Sequence, residues 1–139
     1  MINKNTLKVL VALIVGTVPV VGAQPQAPSP GPAVEFSPNP VDFGYLAPGY
    51  NENVTLTVTN TGASDLVVRK DELSRLNPFY VADDECAGKV IKPGESCQIG
   101  LSFEPENYWT HDQAAYFTIF DNASGGHQSV LLYGWDEPK

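Results

Sequence analysis

The sequence is short of the residues from which catalytic and metal sites are built. Of 139 residues, two are cysteine and two are histidine, His111 and His127. No set of ligands has metal-binding spacing, so neither a metal nor any other cofactor is expected. No Gly-x-Ser-x-Gly elbow presents a serine nucleophile and no paired acid/base constellation stands out, so no catalytic residue is expected. Cations are scarce too. Eight Lys and Arg stand against sixteen Asp and Glu, giving a formal charge of −8. Nucleic acid and anionic membrane surfaces both select clustered Lys and Arg, so neither is an expected partner. No apolar run reaches the roughly 20 residues that a bilayer-spanning helix needs.

The apolar run that is present, Val9 to Val21, has about 13 residues and contains Pro19. Lys4 and Lys8 precede it and Val21-Gly22-Ala23 ends it. A basic start, an apolar middle and a small-residue cleavage site make residues 1–23 a secretory signal peptide. Its removal takes away both lysines and no acid, so the formal charge moves from −8 to −10. An exported, periplasmic or extracellular protein is expected. No cysteine follows the run and residues 136–139 form a polar tail, so no stable membrane anchor is expected.

Residues 24–33 read as a proline-rich linker, with four prolines between Gln24 and Pro32. Such a stretch favours a semi-rigid polyproline II spacer. The same composition also fits a ligand for a proline-binding surface. From residue 34 the pattern turns to short strands and turns. Val41, Phe43 and Tyr45 alternate onto one face; so do Val54, Leu56 and Val58, then Cys97, Ile99, Leu101 and Phe103, then Ala115, Phe117 and Ile119. Pro48-Gly49 sits where a type II turn needs it, and Lys92-Pro93-Gly94-Glu95 reads as a turn that reverses the chain. Residues 71–76 place Leu73 and Leu76 at helical spacing, so one helical turn is expected there. Seven to eight short strands with no long helical pattern predict an all-β fold. It is an immunoglobulin-like antiparallel β-sandwich over residues 34–135.

Two cysteines in an exported chain point to a disulfide between Cys86 and Cys97, across the turn at Pro93-Gly94. A redox pair usually has two residues between its cysteines, and here the spacing is wide. Asp83-Asp84-Glu85 lacks the alternation and glycine of a calcium loop and reads as a solvated acidic turn.

An ordered set of motifs adds to this. Phe36-Ser37-Pro38, Val41-Asp42-Phe43-Gly44, Thr57-Val58-Thr59-Asn60-Thr61-Gly62, Ile91-Lys92-Pro93-Gly94-Glu95-Ser96-Cys97, Phe103-Glu104-Pro105, Ile119-Phe120-Asp121-Asn122 and Leu132-Tyr133-Gly134 follow one another. In these the chain resembles the bacterial choice-of-anchor D domain, a relative of abnormal-spindle/Hydin-type domains and of the major-sperm-protein-like immunoglobulin fold. The resemblance implies a non-enzymatic envelope or secreted module that binds or spaces other proteins. Residues 106–112 depart from it: they lack the glycine usual in that loop and are slightly longer. This loop carries Tyr108, Trp109 and His111, the candidate binding residues. Loop aromatics anchor partners, and they also cap sandwich edges. The expected function is therefore a non-catalytic Ig-like accessory module of a cell-envelope assembly, with another protein as its partner. The alternatives are a carbohydrate-binding module stacking sugars on Tyr108 and Trp109, and an envelope hydrolase.

Overall fold

Alternating apolar residues make strands, and the described residues form ten: β1 (Val34–Ser37), β2 (Val41–Leu46), β3 (Glu52–Asn60), β4 (Leu66–Val67), β5 (Lys70–Leu73), β6 (Phe79–Asp84), β7 (Val90–Ile91), β8 (Ser96–Phe103), β9 (Asp112–Phe120) and β10 (His127–Asp136). The structure, a computed structural model, describes residues 29–106 and 112–136, together with 22, 25 and 27. Eight of the strands form two four-stranded sheets, in the orders β1-β3-β8-β6 and β2-β10-β9-β5. β4 and β7 make a separate two-stranded ribbon. Within the described residues no helix is long and apolar enough to cross a membrane.

The sandwich is antiparallel except at one place. β2 and β10 run parallel, with Leu132 opposite Val41 and Trp135 opposite Tyr45. The chain enters on β1 in the first sheet, turns at Pro38 and Pro40, and continues as β2 at the edge of the second. One N-terminal stretch thus flanks both sheets.

The inward faces are those the alternation foretells. Leu56, Val58, Ile99, Leu101, Phe103, Phe117, Ile119 and Leu132 are fully buried. Phe43, Phe79 and Phe103 gather at one end of the core, with ring centroids 5.1 to 5.8 Å apart. Burying each such ring stabilises the fold by roughly 1.5–3 kcal/mol. Gly134 lies against this cluster. A Cβ there would meet the Phe103 ring at 2.8 Å, so the position admits no side chain without displacing the core.

Two expectations are corrected. Residues 71–76 form no helical turn: β5 occupies Lys70–Leu73 and pairs with β9, Glu72 opposite Thr118. The offered backbone donors of β9 outweigh a single turn's weak local preference. Tyr45 does not share the inward face of Val41 and Phe43. Gly44 adopts φ +69° and the register shifts beside it, so Tyr45 turns outward. The end of the linker is tied to the sandwich. Ala63 N–H donates to the carbonyls of Ser29 and Gly31, and the Ser64 hydroxyl donates to that of Pro30. A Cβ at Gly62 would lie 2.1 Å from the Gly31 carbonyl oxygen, so only glycine lets this segment cross. At the other terminus β10 runs on through Asp136, into the expected tail.

Candidate functional site

The buried polar residues of the motifs hold the fold together. Asn60 is fully buried and all its hydrogen-bonding positions are in use. Its Nδ2 donates to the carbonyls of Ser64 (2.8 Å) and Ile91 (2.9 Å), and its Oδ1 accepts from Gly62 (3.0 Å) and Ala33 (3.4 Å). One side chain therefore ties β3 to the incoming segment and to β7. Asn122 does the same for β4, accepting from Val67 N–H at 2.7 Å and donating to the Asp65 carbonyl at 3.1 Å. Asp121 accepts from Ala123 N–H at 2.6 Å, and burial pushes its carboxyl above the usual value against that bond and the charges of Arg69 and His127. Arg69 in turn donates to the Asp121 carbonyl. Asn60 and Asn122, held this way, satisfy backbone groups and leave little for a ligand.

The cysteines belong to the same class. Cys86 follows β6 and Cys97 lies in β8, its paired neighbour, and the two are bonded with Cα atoms 5.3 Å apart. The turn at Lys92–Glu95 closes by a Glu95 N–H to Lys92 carbonyl bond of 2.9 Å, with Gly94 at φ +80°. It joins β7 to β8, so the arms that the disulfide staples are β6 and β8. Both sulfurs are buried, which removes them from exchange chemistry.

The two sheets meet differently along the side where β5 and β6 are the outer strands. The chain crosses between the sheets there through residues 74–78. An open trough of about 430 Å³ runs along this seam, lined by Asp71, Glu72, Leu73, Leu76, Tyr80 and Val81. Leu76 is 72% exposed, on the crossing itself, where Asn77 takes φ +57°. A second concavity of about 400 Å³ begins on its other side, lined by Arg75, Pro78, Pro105 and Glu106 among others. Leu76 is thus a ridge between two hollows. Sequence spacing pairs it with Leu73 as a buried helical face; the strand at β5 leaves it outside.

One pair of acids bridges the seam. Asp71 of β5 and Asp84 of β6 are hydrogen-bonded side chain to side chain. Burial, that bond and the Asp84 charge push the Asp71 carboxyl up to about 7. For Asp84 burial acts upward, but bonds from Asp71 and from the Cys86 and Ala87 N–H groups, with the Lys89 charge, hold it below its ordinary value. The Cys86 and Ala87 bonds measure 2.7 and 3.0 Å. Asp71 is therefore the proton donor and Asp84 the acceptor, and the shared proton joins one sheet edge to the other. No sequence signal pairs them: they are thirteen positions apart, one in a segment read as helical.

A third feature lies on the outward face of the second sheet. Tyr45 stacks on Trp135 with ring centroids 5.2 Å apart and planes 22° apart. Tyr133 meets Trp135 edge-on at 4.9 Å, and its hydroxyl is bonded to Asp42. Desolvation, that bond and the Asp42 charge raise the phenol above its usual value, so it stays a donor. The loop residues Tyr108, Trp109 and His111, named as candidates from sequence, lie outside the described residues. Among the described residues no three His, Cys, Asp or Glu side chains gather as metal ligands.

Comparison with known proteins follows the fold. A family model described as HYDIN/CFA65/VesB-like, Ig-like domain matches residues 32–135. Among solved structures, a protein of unknown function from Porphyromonas gingivalis W83 superposes with a TM-score of 0.61 at 19% identity, over 79% of this chain and 49% of that one. The Vibrio cholerae VesB protease gives 0.56 at 20% identity, over 75% of this chain and 31% of the protease. The ASH/PapD-like domain 7 of human CEP192 gives 0.53 at 18% identity, over 92% of this chain and 99% of that domain. The chain thus spans about half of the first of these proteins and under a third of the second. A sequence comparison with curated proteins returns no significant match.

Proposed function

The chain belongs to the HYDIN/CFA65/VesB-like family of Ig-like domains, and from that premise we propose that it is an exported, non-catalytic accessory module that binds a protein partner in a cell-envelope assembly. Export rests on the leader pattern of residues 1–23 and on the disulfide, which persists in oxidising compartments. The observation that carries the binding role is the Leu76 ridge between its two hollows. An exposed large aliphatic side chain with concave surface on both sides is what a partner's pocket takes as an anchor.

The surroundings narrow the partner's chemistry. Asp71, Glu72, Asp83 and Asp84 lie on the two strands flanking the trough, and Leu73, Tyr80 and Val81 are set among them. An apolar segment bordered by Lys or Arg complements that surface, and the chain's negative charge steers such a segment toward it. Pairing of a partner strand along β5 or β6 is the weaker route. β5 is four residues long and carries Lys70 and Glu72 outward, and β6 has a bulge between Val81 and Asp83. Short, charged and bulged edges resist added strands.

The test is co-purification from the envelope fraction with wild-type chain and a Leu76→Asp variant. A stoichiometric protein is expected with the wild type. The variant is expected to retain it on the order of tenfold less tightly, as for loss of an interface anchor. Repeated recovery of the chain alone, or equal recovery by the variant, overturns the assignment.

A further inference from the structure

The outward aromatic row has no role in the fold that its exposure would explain. Tyr45 is 69% exposed although it follows two inward residues of β2. The Gly44 bulge, held by a 2.8 Å bond from Gly44 N–H to Asp42 Oδ1, is what turns it outward onto Trp135. The face continues beyond Tyr133 through Leu131 and, opposite it on β9, Tyr116, itself 54% exposed. A strip of Tyr, Trp and Tyr rings is a surface on which polyproline II segments lie. Their prolyl rings pack on aromatic faces; the Tyr133 hydroxyl, bonded to Asp42, takes no part.

The sequence holds such a segment. Residues 25–28 read Pro25-Gln26-Ala27-Pro28, a P-x-x-P unit. Three residues per turn put both prolines on one edge of a polyproline II helix. The stretch from Gln24 to Pro32 carries no charge, so it meets no repulsion at an acidic surface. Pro25, Ala27, Ser29 and Pro30 are exposed.

The segment cannot reach the row of its own chain. Residues 29–33 are fastened at the end of the sandwich where Asn60, Ala63 and Ser64 lie. The aromatic row lies toward the other end, where the Gly49 N–H bonds the Pro105 carbonyl and Pro105 and Asp136 line one hollow. Nine-residue β3, Glu52–Asn60, spans between these ends, roughly 25–30 Å at strand rise. Residues 24–28 extend only about 15 Å in polyproline II form.

We propose that the outward row of Tyr45, Trp135 and Tyr133 binds the Pro25–Pro28 segment of a second copy of this chain. Donor and acceptor surfaces lie at opposite ends, so the contact is head to tail and passes from copy to copy, in a closed ring or an open series. It is separate from the Leu76 seam and stands or falls without it.

A labelled peptide of residues 24–32, titrated onto the full chain and followed by anisotropy, tests the contact directly. Saturable binding is expected, weakened on the order of tenfold by Tyr45→Ala and by replacing Pro25 and Pro28 with alanine in the peptide. Tyr45→Phe keeps the ring and is expected to keep binding. Tyr45 is exposed, so its variants fold; matched thermal unfolding confirms it. In sedimentation velocity, the full chain is expected to associate with rising concentration, and its Pro25→Ala/Pro28→Ala form is not. Absence of saturable peptide binding, or equal binding to Tyr45→Ala, overturns the proposal. So does a neutral glucose oligomer that binds wild type but not Tyr45→Ala while the peptide binds neither: that outcome assigns the row to sugars.

Discussion

A carboxyl that keeps its proton to about pH 7 makes stability depend on pH in an unusual direction. Asp71 ionises at about 7 in the folded chain against 3.8 for an unperturbed side chain. Between those values the native state holds a proton that the unfolded chain has released. The contribution is complete below about 3.8 and is lost as pH rises through about 7. Asp84 works oppositely: its contribution is present above 3.8 and disappears as pH falls through its lowered folded value. Between pH 5 and 8, therefore, Asp71 sets the slope and the melting temperature falls with rising pH. Asp71→Asn keeps a donor toward Asp84 and has no proton to lose, so its melting curve is expected to be flatter over that range. Thermal unfolding of both proteins at half-unit intervals checks this; parallel slopes would sink it. Solvent access to both acids keeps the effect modest.

At the scale of elements, the staple between β6 and β8 has a defined weight. It closes a separation of eleven residues. Replacing Cys86 and Cys97 by alanine is expected to lower stability by about 3 kcal/mol in the chain-entropy account. Urea unfolding of oxidised wild type and the double variant measures it, and alkylation followed by mass measurement is expected to find no free thiol in exported material. The elements themselves were largely legible. β2 and β8 begin and end where alternation says, because their inward residues are unbroken by polar ones. β5 was not, since leucines three apart satisfy a helix as well as a strand, and only β9 decides between them. Tyr45 was not, because a bulge inverts the face of every residue after it and Gly44 alone does not announce one. Nor was the seam: Asp71 and Asp84 become neighbours only once two sheets are laid together. Asn60 was visible as part of a motif, but its work as a four-bonded tie required the partners, Ser64, Ile91, Gly62 and Ala33, to be placed.

For the molecule as a whole, pairing is distant in sequence. β2 lies beside β10, Val41 opposite Leu132, and β1 beside β3, so both sheets close late. Such topologies fold in about milliseconds to seconds, where local helical folds need microseconds. Stopped-flow refolding with the disulfide intact is expected to fall in that range; a main phase in microseconds would contradict it.

The parallel pairing of β2 with β10 also decides how the molecule bears a load. Its N-terminal segment leaves at the Asn60 end, while β10 runs out at the opposite one. A pull applied through both termini draws β2 and β10 past each other along their length. Their slanted, evenly spaced interstrand bonds are strained together. They cannot open one after another like a zip. A domain pulled by its two ends then yields by shear, and its lifetime under tension is set by its unfolding rate.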